Sequence, residues 1–424
     1  MSDWHTQNWS GHVTLGAARF HRPTSVREVQ QIVRQAAKVR VVGSRHCFND
    51  IADTSGDLVW LGDLDIPVAI DPLRRTATVH AGMTYEALCP QLHAAGLALP
   101  NLASLKHVTV AGACMTATHG SGDTLGNLAT AVSGLEMVTA DGELVWLTRE
   151  KDGDTFRGAI VSLGAIGVVT RLTLDLEPAF LVQQDTYERM PFDEAFAHFE
   201  EITASGYSVS LFPTWQKDWI ESTWVKRQVP DLKPVQVPAI LFGAELASAR
   251  PSDSPAYDRV RTPYGSPGPW HERLPHYALN EPQNTGDELQ SEYFVPRRHA
   301  VAAMKAIIGL RKDLAPILGC SEIRTIRADD LWLSSAYSED TVGIHFNWLK
   351  KWESIGPFLP MLESALAPFR ARPHLGKLFA LSPARLAEVY PRWQDFRGLV
   401  RRFDPTGKFS NRYVEKYILG APGA

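Results

Sequence analysis

A run of small residues between Ser104 and Gly122 constrains this chain more than any other feature of its sequence. Residues 111–113, 117 and 120–122 all have side chains no larger than that of serine. Such residues let the backbone approach a flat or phosphorylated ligand closely. A glycine-rich turn with His119 in the core is the alternative interpretation, but so long a stretch with so little bulk is hard to explain by packing alone. The stretch therefore indicates a ligand site.

A second polar turn, residues 43–49, follows a short strand predicted at residues 39–42. Gly43 can adopt φ and ψ values that other residues avoid, so that successive backbone N–H groups can converge on an anion. Arg45 adds positive charge to this turn. The alternative is a surface turn with a solvated Arg45 and with His46 packed beside an aromatic ring. The turn taken alone leaves both interpretations open.

Composition excludes several classes of protein. The 424 residues are 44% hydrophobic and 21% charged, as in globular chains of two or three domains, and the net charge of -4 argues against nucleic acid or an anionic membrane as partner. The chain has four cysteines with no C-x-x-C pair and no apolar run long enough to span a membrane, and residues 1–10 lack the apolar core of a signal peptide. We expect a reduced, cytoplasmic monomer without a metal site.

Standard nucleotide and hydrolase signatures are absent. The sequence has no G-x-G-x-x-G that opens a helix, no G-x-x-x-x-G-K-[ST], no H-E-x-x-H and no G-x-S-x-G. Their absence weakens the interpretations as an NAD-dependent dehydrogenase, an NTPase, a zinc protease or an α/β-hydrolase.

Hydrophobic periodicity predicts an α+β protein. In residues 1–178 we predict alternating helices and strands. The helices are at 23–38, with a capping box of Ser25 and Glu28, at 85–95, ended by a left-handed Gly96, and at 154–163. The strands are at 76–80 and 168–176, and a hairpin turns at Asp141-Gly142. For residues 179–385 we predict a mainly antiparallel sheet flanked by helices, with strands at 292–295, 322–326 and 342–346. The many prolines between residues 230 and 269 predict loops there.

Ordered motifs connect these segments to a known family. The runs are VVGSRHCFN, LPNLASLKHVTVAGACMTATHGSG, SLGAIGVVTRL, ELQSEYFVPR, SEIRTIRADD, VGIHFNW, RPHLGKLF and GKFSNRY. Together they resemble the flavoproteins of the vanillyl-alcohol oxidase type and, within them, the alditol (xylitol) oxidases, which share a C-terminal domain type with the aldonolactone oxidases. The likeness covers essentially the whole chain. It implies an FAD-binding domain at 1–178, a substrate-binding cap domain at 179–385 and a segment at 386–424 that returns to the FAD domain.

The resemblance implies FAD bonded covalently to His46. The first turn would hold the pyrophosphate, and we expect a single bond, with Cys47 and Cys114 as small buried residues. The residues expected to contact the cofactor are Val42, Gly43, Ser44, Arg45, His46, Cys47, Ala103, Ser104, His107, Ala111, Gly112, Cys114, Thr118, His119, Gly120, Ser121, Gly122, Gly167, Val168, Asn411 and Tyr413.

The resemblance also implies a polar substrate wall. Its residues would be Ser104, Gln290, Glu322, Arg324, His345, Asn347 and Lys377. Because Glu322 and Arg324 are two apart in a strand, as are His345 and Asn347, each pair faces one side of the sheet. Such a wall suits a polyol, which is bound by hydrogen bonds alone. The alternative is a satisfied ion-pair cluster of Glu322 with Arg324 or Lys377, with His374 at the surface.

The implied reaction oxidises a primary hydroxyl of a sugar alcohol such as xylitol or sorbitol to the aldehyde, with hydride transferred to FAD and O2 reduced to H2O2. We expect Arg324 and Lys377 to stabilise developing negative charge and His345 to act as the base, because the unperturbed pKa of histidine is about 6.5. Lys377 would serve as base only if its pKa were strongly lowered.

Three points stay open from the sequence. The resemblance implies that Ala103 lies close to the flavin ring, where its small side chain would leave room for O2 and would favour an oxidase over a dehydrogenase. Asn347 stands where alditol oxidases would have a hydroxyl residue, so the preferred length and stereochemistry of the polyol are uncertain. An aldonolactone oxidase, a hydroxy-acid oxidase whose carboxylate Arg324 binds, and a flavin-free carbohydrate-binding protein are the rival functions.

Overall fold

The computed structural model describes residues 6–247, 262–276 and 286–420. Residues 248–261, part of the stretch predicted as proline-rich loop, lie outside the described residues. The elements of the N-terminal part are β1 (Arg19–His21), α1 (Val26–Gln35), β2 (Val39–Val42), β3 (Asp57–Trp60), β4 (Ala69–Asp71), β5 (Thr76–His80), α2 (Tyr85–Ala94), β6 (Leu97–Ala98), α3 (Val110–Met115), β7 (Val132–Val138), β8 (Leu144–Thr148), α4 (Arg149–Ile160), β9 (Val168–Asp175) and β10 (Glu177–Pro178).

The remaining elements alternate long strands with short helices. They are β11 (Leu181–Pro191), α5 (Phe192–Ala197), α6 (Phe199–Thr203), β12 (Ser208–Phe212), β13 (Trp219–Val229), β14 (Ile240–Leu241), β15 (Ala244–Leu246), β16 (Gly268–Pro269), α7 (Trp270–Arg273), β17 (Glu288–Pro296), α8 (Ala300–Ile308), α9 (Arg311–Leu314), β18 (Leu318–Ile326), β19 (Thr341–Leu349), α10 (Trp352–Leu366), β20 (Arg372–Pro373), α11 (Pro383–Val389), α12 (Trp393–Phe403) and a π-helical segment, Val414–Leu419.

Helix α1 begins at the predicted N-cap. The hydroxyl of Ser25 accepts from the backbone N–H of Glu28 at 3.3 Å, but the carboxylate of Glu28 accepts from the N–H of Thr24 at 2.8 Å, one residue beyond the N-cap. The predicted capping box is therefore only half formed. The helix ends at Gln35, three residues before the predicted end, because Ala36 has an extended backbone.

Glycines close the predicted turns. Gly96 and Gly142 have φ of +73° and +80°, so that the first ends α2 and the second forms the hairpin between β7 and β8, as predicted. The helix expected at 154–163 is, like the helix expected at 23–38, wrong in its bounds. It begins at Arg149, capped by the hydroxyl of Thr148, and bends at Gly153, where φ is +45°.

Two large sheets carry the architecture. The first has five antiparallel strands in the order β4-β5-β9-β7-β8, beside a small parallel sheet β1-β3-β2. The second has ten strands, ordered β14-β15-β11-β13-β12-β18-β19-β17-β20 with β16 on β11, and its pairings are antiparallel. We call this second sheet the cap sheet. The predicted α+β class and the antiparallel second sheet are confirmed.

Two large hydrophobic cores accompany these sheets in the described part of the chain. The first draws on residues 29–176 and on residues 386–418, so the C-terminal segment packs with the N-terminal half. The second draws on residues 187–378. Trp270 and Trp332 of the middle region also pack in the first core. The domain limits 1–178, 179–385 and 386–424 stay a prediction.

Candidate active site

A cavity of about 570 Å³ runs from the turn after β2 and the small-residue stretch to the face of the cap sheet. Its volume is within the range of ligand and cofactor pockets, roughly 300–1,000 Å³. The residues predicted from sequence that line it are Val42, Gly43, Ser44, Arg45, His46, Cys47, Ala103, Ser104, His107, Ala111, Gly112, Thr118, His119, Gly167, Gln290, Glu322, Arg324, His345, Asn347 and Lys377.

Seven residues expected to contact the cofactor do not line this cavity: Cys114, Gly120, Ser121, Gly122, Val168, Asn411 and Tyr413. Three of these residues, Asn411, Tyr413 and Ser121, instead make hydrogen bonds that connect distant segments of the fold. The amide of Asn411 donates to the backbone carbonyls of Asp50, Ile51 and Asp53, and the hydroxyl of Tyr413 donates to the carbonyl of Leu375 at 2.9 Å. The hydroxyl of Ser121 donates to the carbonyl of Val209, which connects the small-residue stretch to the cap sheet.

The side chain of Thr109 packs against a glycine of each polar turn. A Cβ at Gly43 or at Gly112 would collide with the hydroxyl oxygen of Thr109, so both positions require glycine. The backbones of the two turns can therefore come close at the cavity wall. In the first turn Arg45 has a φ of +59°, which non-glycine residues rarely adopt, and its guanidinium donates to the carbonyl of Gln7 at 3.0 Å.

His46 ends this turn with its imidazole against the cavity. The ring centroids of Trp9 and His107 lie 4.6 Å and 5.4 Å from that of His46. Both ring nitrogens are buried and have no hydrogen-bond partner among the described residues. Burial, with a smaller contribution from the charge of His107, holds the pKa of His46 well below its ordinary value. The ring is therefore neutral near neutral pH.

These features fit FAD. Unsatisfied buried polar atoms are uncommon unless a ligand or water completes them, and two occur on His46 where the resemblance expects the flavin bond. Gly43 and Gly112 both line the cavity, and neither has a side chain that could cover its backbone. Neighbouring Cys47 is half-buried, and burial raises the pKa of its thiol to about 11, which keeps it protonated and unreactive. No cluster of potential metal ligands occurs among the described residues.

The opposite wall of the cavity is the cap sheet. On neighbouring strands, His345 of β19 pairs with Glu322 of β18, and Asn347 pairs with Gln290 of β17. All four side chains line the cavity, as the period-two spacing predicted for His345 and Asn347 and the resemblance implied for Gln290 and Glu322. Across the cavity, the guanidinium of Arg324 donates to the hydroxyl of Ser104 at 3.4 Å.

A carboxylate that the sequence interpretation missed, Glu292, lies at the centre of this wall. Its side chain is 1% exposed, and one oxygen lies 2.8 Å from Arg324 and 3.0 Å from Nε2 of His119. The other oxygen accepts from Nζ of Lys377 at 2.7 Å. Although burial alone would raise its pKa, these cationic neighbours keep the pKa of Glu292 well below its ordinary value. Glu292 follows Gln290 by two in β17, so strand alternation could have identified it.

Lys377 and His345 form a pair within this cluster. Nζ of Lys377 lies 2.8 Å from Nδ1 of His345. Burial, followed by the charge of Lys377, lowers the pKa of His345 to about 4, and burial also lowers the pKa of Lys377. The imidazole is therefore neutral near neutral pH. Of the two ion pairs considered for Glu322, the one with Arg324 is present at 3.6 Å, whereas the carboxylate partner of Lys377 is Glu292.

Three further residues of the wall had not been predicted. Glu288 and Phe212 line the cavity, and His276 lies with Nε2 at 3.4 Å from Glu322. His276 comes from an irregular segment without periodic spacing, so no sequence signal pointed to it. His374, considered as a surface residue, is buried and lines the cavity.

Sequence comparison identifies relatives along the whole chain. A family profile described as FAD binding domain matches residues 17–148, and one described as D-arabinono-1,4-lactone oxidase matches residues 286–417. The chain is 42% identical to an alditol oxidase from a Streptomyces species over 421 residues, covering 97% of this chain and 99% of the relative. It is 30% identical to an L-gulono-1,4-lactone dehydrogenase from Mycobacterium tuberculosis, covering 97% and 98%.

Solved structures confirm the predicted fold. A cholesterol oxidase from B. sterolicum, at 16% identity, superposes with a TM-score of 0.78 and covers 97% of this chain and 96% of its own. A solvent-stable cholesterol oxidase, at 18% identity, reaches 0.80 with 97% of both chains covered. At such identities the likeness concerns the fold alone. Within the described parts of the chain, none of the helices has the length and apolar character needed to traverse a bilayer.

Proposed function

Because the chain belongs to the FAD-dependent oxidoreductases of the vanillyl-alcohol oxidase family, we propose that it oxidises a primary hydroxyl of a sugar alcohol to the aldehyde. Xylitol, sorbitol or a similar polyol would be the substrate, O2 the final acceptor, and FAD would be bonded covalently through His46. One observation carries the proposal: Glu322, Arg324, His345 and Lys377 all face the cavity that His46 borders. The 42% identity to an alditol oxidase supports it.

Bound FAD would supply the two-electron acceptor for the substrate hydrogen and would be reoxidised by O2 with formation of H2O2. The residues suited to hold it are His46, the glycine turns at Gly43 and Gly112, and the neutral ring of His107. Burial lowers the pKa of His107, so this ring, whose centroid lies 5.4 Å from that of His46, stays neutral near neutral pH.

The cap-sheet residues bind and orient the polyol. Gln290, Glu322 and Asn347 offer amide and carboxylate groups, which match a chain of hydroxyls that each donate and accept. Arg324 and Lys377 provide positive charge where an alkoxide would develop, in a buried setting in which charges interact strongly. Orientation by several fixed partners is itself a large part of rate acceleration.

The hydroxyl proton would pass to the pair formed by His345 and Lys377. Nδ1 of His345 faces Lys377, which leaves Nε2 as the ring nitrogen available to the substrate. For Nε2 to accept a proton, the pair must first have lost one, with Lys377 neutral and Nδ1 carrying hydrogen. Glu292 holds Lys377 in this position through its 2.7 Å contact.

Ala103 supports an oxidase rather than a dehydrogenase. Its small side chain lies at the cavity wall, where a bulky residue would restrict O2. The expected behaviour is rapid reoxidation in air after anaerobic reduction by the polyol. Slow reoxidation would assign a dehydrogenase instead.

An aldonolactone or hydroxy-acid substrate is the second candidate. The C-terminal profile bears the name of a lactone oxidase, and one relative is a lactone dehydrogenase. Arg324 could also bind a carboxylate. Its guanidinium is already paired, however, with Glu292 at 2.8 Å and with Glu322 at 3.6 Å, which argues against a further anion there.

Anaerobic flavin reduction tests the proposal directly. Purified holoenzyme is mixed in a stopped-flow instrument with xylitol, sorbitol, glycerol, L-gulono-1,4-lactone or a hydroxy acid, and bleaching of the flavin absorbance is followed. We expect reduction by the five- or six-carbon alditols with a kcat/KM at least about tenfold above that for the lactone, a difference of about 1.4 kcal/mol. Reduction by the lactone or acid alone would reject the alditol assignment.

The domain limits 1–178, 179–385 and 386–424, a monomeric state and a cytoplasmic location belong to the same proposal. The four cysteines are free in the structure, which agrees with a reducing compartment. Light scattering of the purified chain and fractionation of the producing cells test the last two points.

A further inference from the structure

A lysine that the proposed reaction does not use, Lys226, lies buried in the middle of β13. Its side chain is 1% exposed, and its neighbours across the sheet are Gln184 of β11 and Ser208 of β12. Burial lowers the pKa of Lys226 to about 7, although the carboxylate of Glu322 opposes this effect. Because burying an amine is unfavourable unless it is hydrogen-bonded, its partner indicates what the residue does.

The amine of Lys226 binds a segment that lies against this face of the cap sheet. It donates a hydrogen bond to the backbone carbonyl of Leu274. We call residues 270–276, which comprise α7 and the three residues after it, the strap. The neighbouring polar groups of the sheet offer no substitute for this bond, because the amide of Gln184 and the hydroxyl of Thr186 are buried and make no hydrogen bond among the described residues.

The strap also packs on the N-terminal half of the structure. Trp270 is fully buried and Leu274 is 5% exposed, and both side chains belong to the first hydrophobic core. At the other end of the strap, the backbone N–H of His276 donates to the carbonyl of Ser104 at 3.1 Å. Lys226 therefore connects the cap sheet to a segment that is packed in the first core.

His276 brings the end of the strap to two groups of the substrate site. Its Nε2 lies 3.4 Å from Oε1 of Glu322, an oxygen that makes no hydrogen bond among the described residues. This distance is at the long end for a hydrogen bond, so a small displacement of the strap would remove the contact. Its backbone holds Ser104, whose hydroxyl accepts from Arg324 at 3.4 Å. His276 therefore links the positions of Glu322 and Ser104.

The strap fits closely where it meets the cap sheet and the loop of Ser104. A cavity of about 10 Å³, which has room for a single water, remains between Leu274, His276, Ser104, Ser210 and Arg324. Orientation in the adjoining reaction site must be accurate, because a misplacement of about 1 Å can reduce a rate about a hundredfold. A released strap would therefore affect the reaction.

We propose that Lys226 is a positioning residue for this oxidation, which holds the strap through the carbonyl of Leu274. The strap in turn holds His276 against Glu322 and Ser104. Lys226 does not line the cavity, so its effect on the substrate passes through the strap. The inference rests on the proposed function and adds to it a residue outside the substrate site.

Hydrogen exchange and flavin reduction of the purified holoenzyme test this role together. Lys226→Met removes the amine at similar length, and Thr223→Val is the matched control. Thr223 is equally buried in the same strand but faces the second core, where it pairs with Tyr187 and Leu211. Exchange of the backbone amides of residues 270–276 is followed by mass spectrometry, and kcat/KM for xylitol by anaerobic flavin reduction.

In Lys226→Met we expect the strap amides to exchange at least about tenfold faster and kcat/KM for xylitol to fall at least about tenfold, because His276 is no longer held in place. Adding Lys226→Met to His276→Ala should cause no further loss of kcat/KM, since a residue that acts through another is not additive with it. Thr223→Val should match the wild type in both measurements.

Unchanged exchange of the strap in Lys226→Met, an unchanged kcat/KM despite faster exchange, or fully additive losses in the double variant would each overturn the proposal. Equal effects of Thr223→Val would do the same. If Lys226→Met does not fold, Lys226→Gln, whose amide is one atom shorter and uncharged, takes its place with the same expected results. If xylitol does not reduce the flavin of the wild type, the proposed function fails, whereas the exchange measurement still decides whether Lys226 holds the strap.

Discussion

Nζ of Lys377 lies 2.8 Å from Nδ1 of His345, and this contact determines how the pair can hold protons. An ammonium group can only donate, so beside a charged Lys377 the Nδ1 atom accepts and the neutral ring carries its hydrogen on Nε2. In that state neither residue can take a proton from a substrate hydroxyl. The pair becomes a base only after losing one proton, and its titration belongs to both residues together.

The first prediction concerns pH. Because burial lowers the pKa of Lys377, the pair should lose its proton below the ordinary pKa of lysine. Flavin reduction by xylitol should therefore be slow at low pH, rise as pH increases through this pKa, and level off above it. Anaerobic stopped-flow measurements of kcat/KM at a series of pH values test whether the rate rises with pH as expected. A rate that falls with increasing pH would exclude the pair as the base.

Glu292→Gln should move this profile to lower pH. The carboxylate of Glu292 raises the pKa of Lys377, so its neutralisation allows the ammonium to lose its proton more easily. Glu363→Gln is a matched control, since Glu363 is also buried but binds Tyr293 and the backbone of Ala380 outside the cavity. A profile that shifts equally in both variants, or in neither, would show that Glu292 does not position the pair.

His345→Ala should reduce flavin reduction by polyol at least about a hundredfold, because general-base catalysis contributes factors of that size. The flavin itself should stay bound, and its reduction by dithionite should proceed at the wild-type rate. The visible spectrum of the variant and both reduction rates check this. Unchanged reduction by polyol rejects His345 as part of the base.

His46→Ala should abolish covalent attachment of FAD. After acid precipitation and washing, the wild-type pellet should be yellow and the pellet of the variant colourless. Cys47→Ser is the matched control and should remain yellow, since burial raises the pKa of the Cys47 thiol to about 11. Flavin retained by the precipitated His46 variant, or lost from the Cys47 variant, would contradict a single bond through His46.

Asn411→Ala tests whether this residue serves the fold or the cofactor. Its amide donates to three backbone carbonyls of the segment after His46, so its removal should lower the free energy of unfolding by about 1–3 kcal/mol. Flavin content per folded molecule should not change. The exposed Gln394 provides a control, and its substitution by alanine should leave the melting temperature unaltered. Loss of flavin without loss of stability would assign Asn411 to the cofactor site.

Some site residues were within reach of the sequence and others were not. The resemblance placed Gln290 at the wall, and strand alternation from Gln290 extends to Glu288 and Glu292; all three line the cavity. His276 had no comparable signal, because it lies in an irregular segment. The seven expected cofactor residues outside the cavity belong to the predicted motifs, but motif membership does not say which way a side chain points.

The sequence by itself determined the local features: the two glycine-containing turns, the alternation of the strands, the antiparallel character of the cap sheet and the motifs that identify the family. Those depend on backbone geometry over a few neighbouring residues. Only the tertiary structure decided that Glu292 binds Arg324, His119 and Lys377 together. Such contacts depend on which strands and loops become neighbours across distant parts of the chain, and local periodicity contains no information about that.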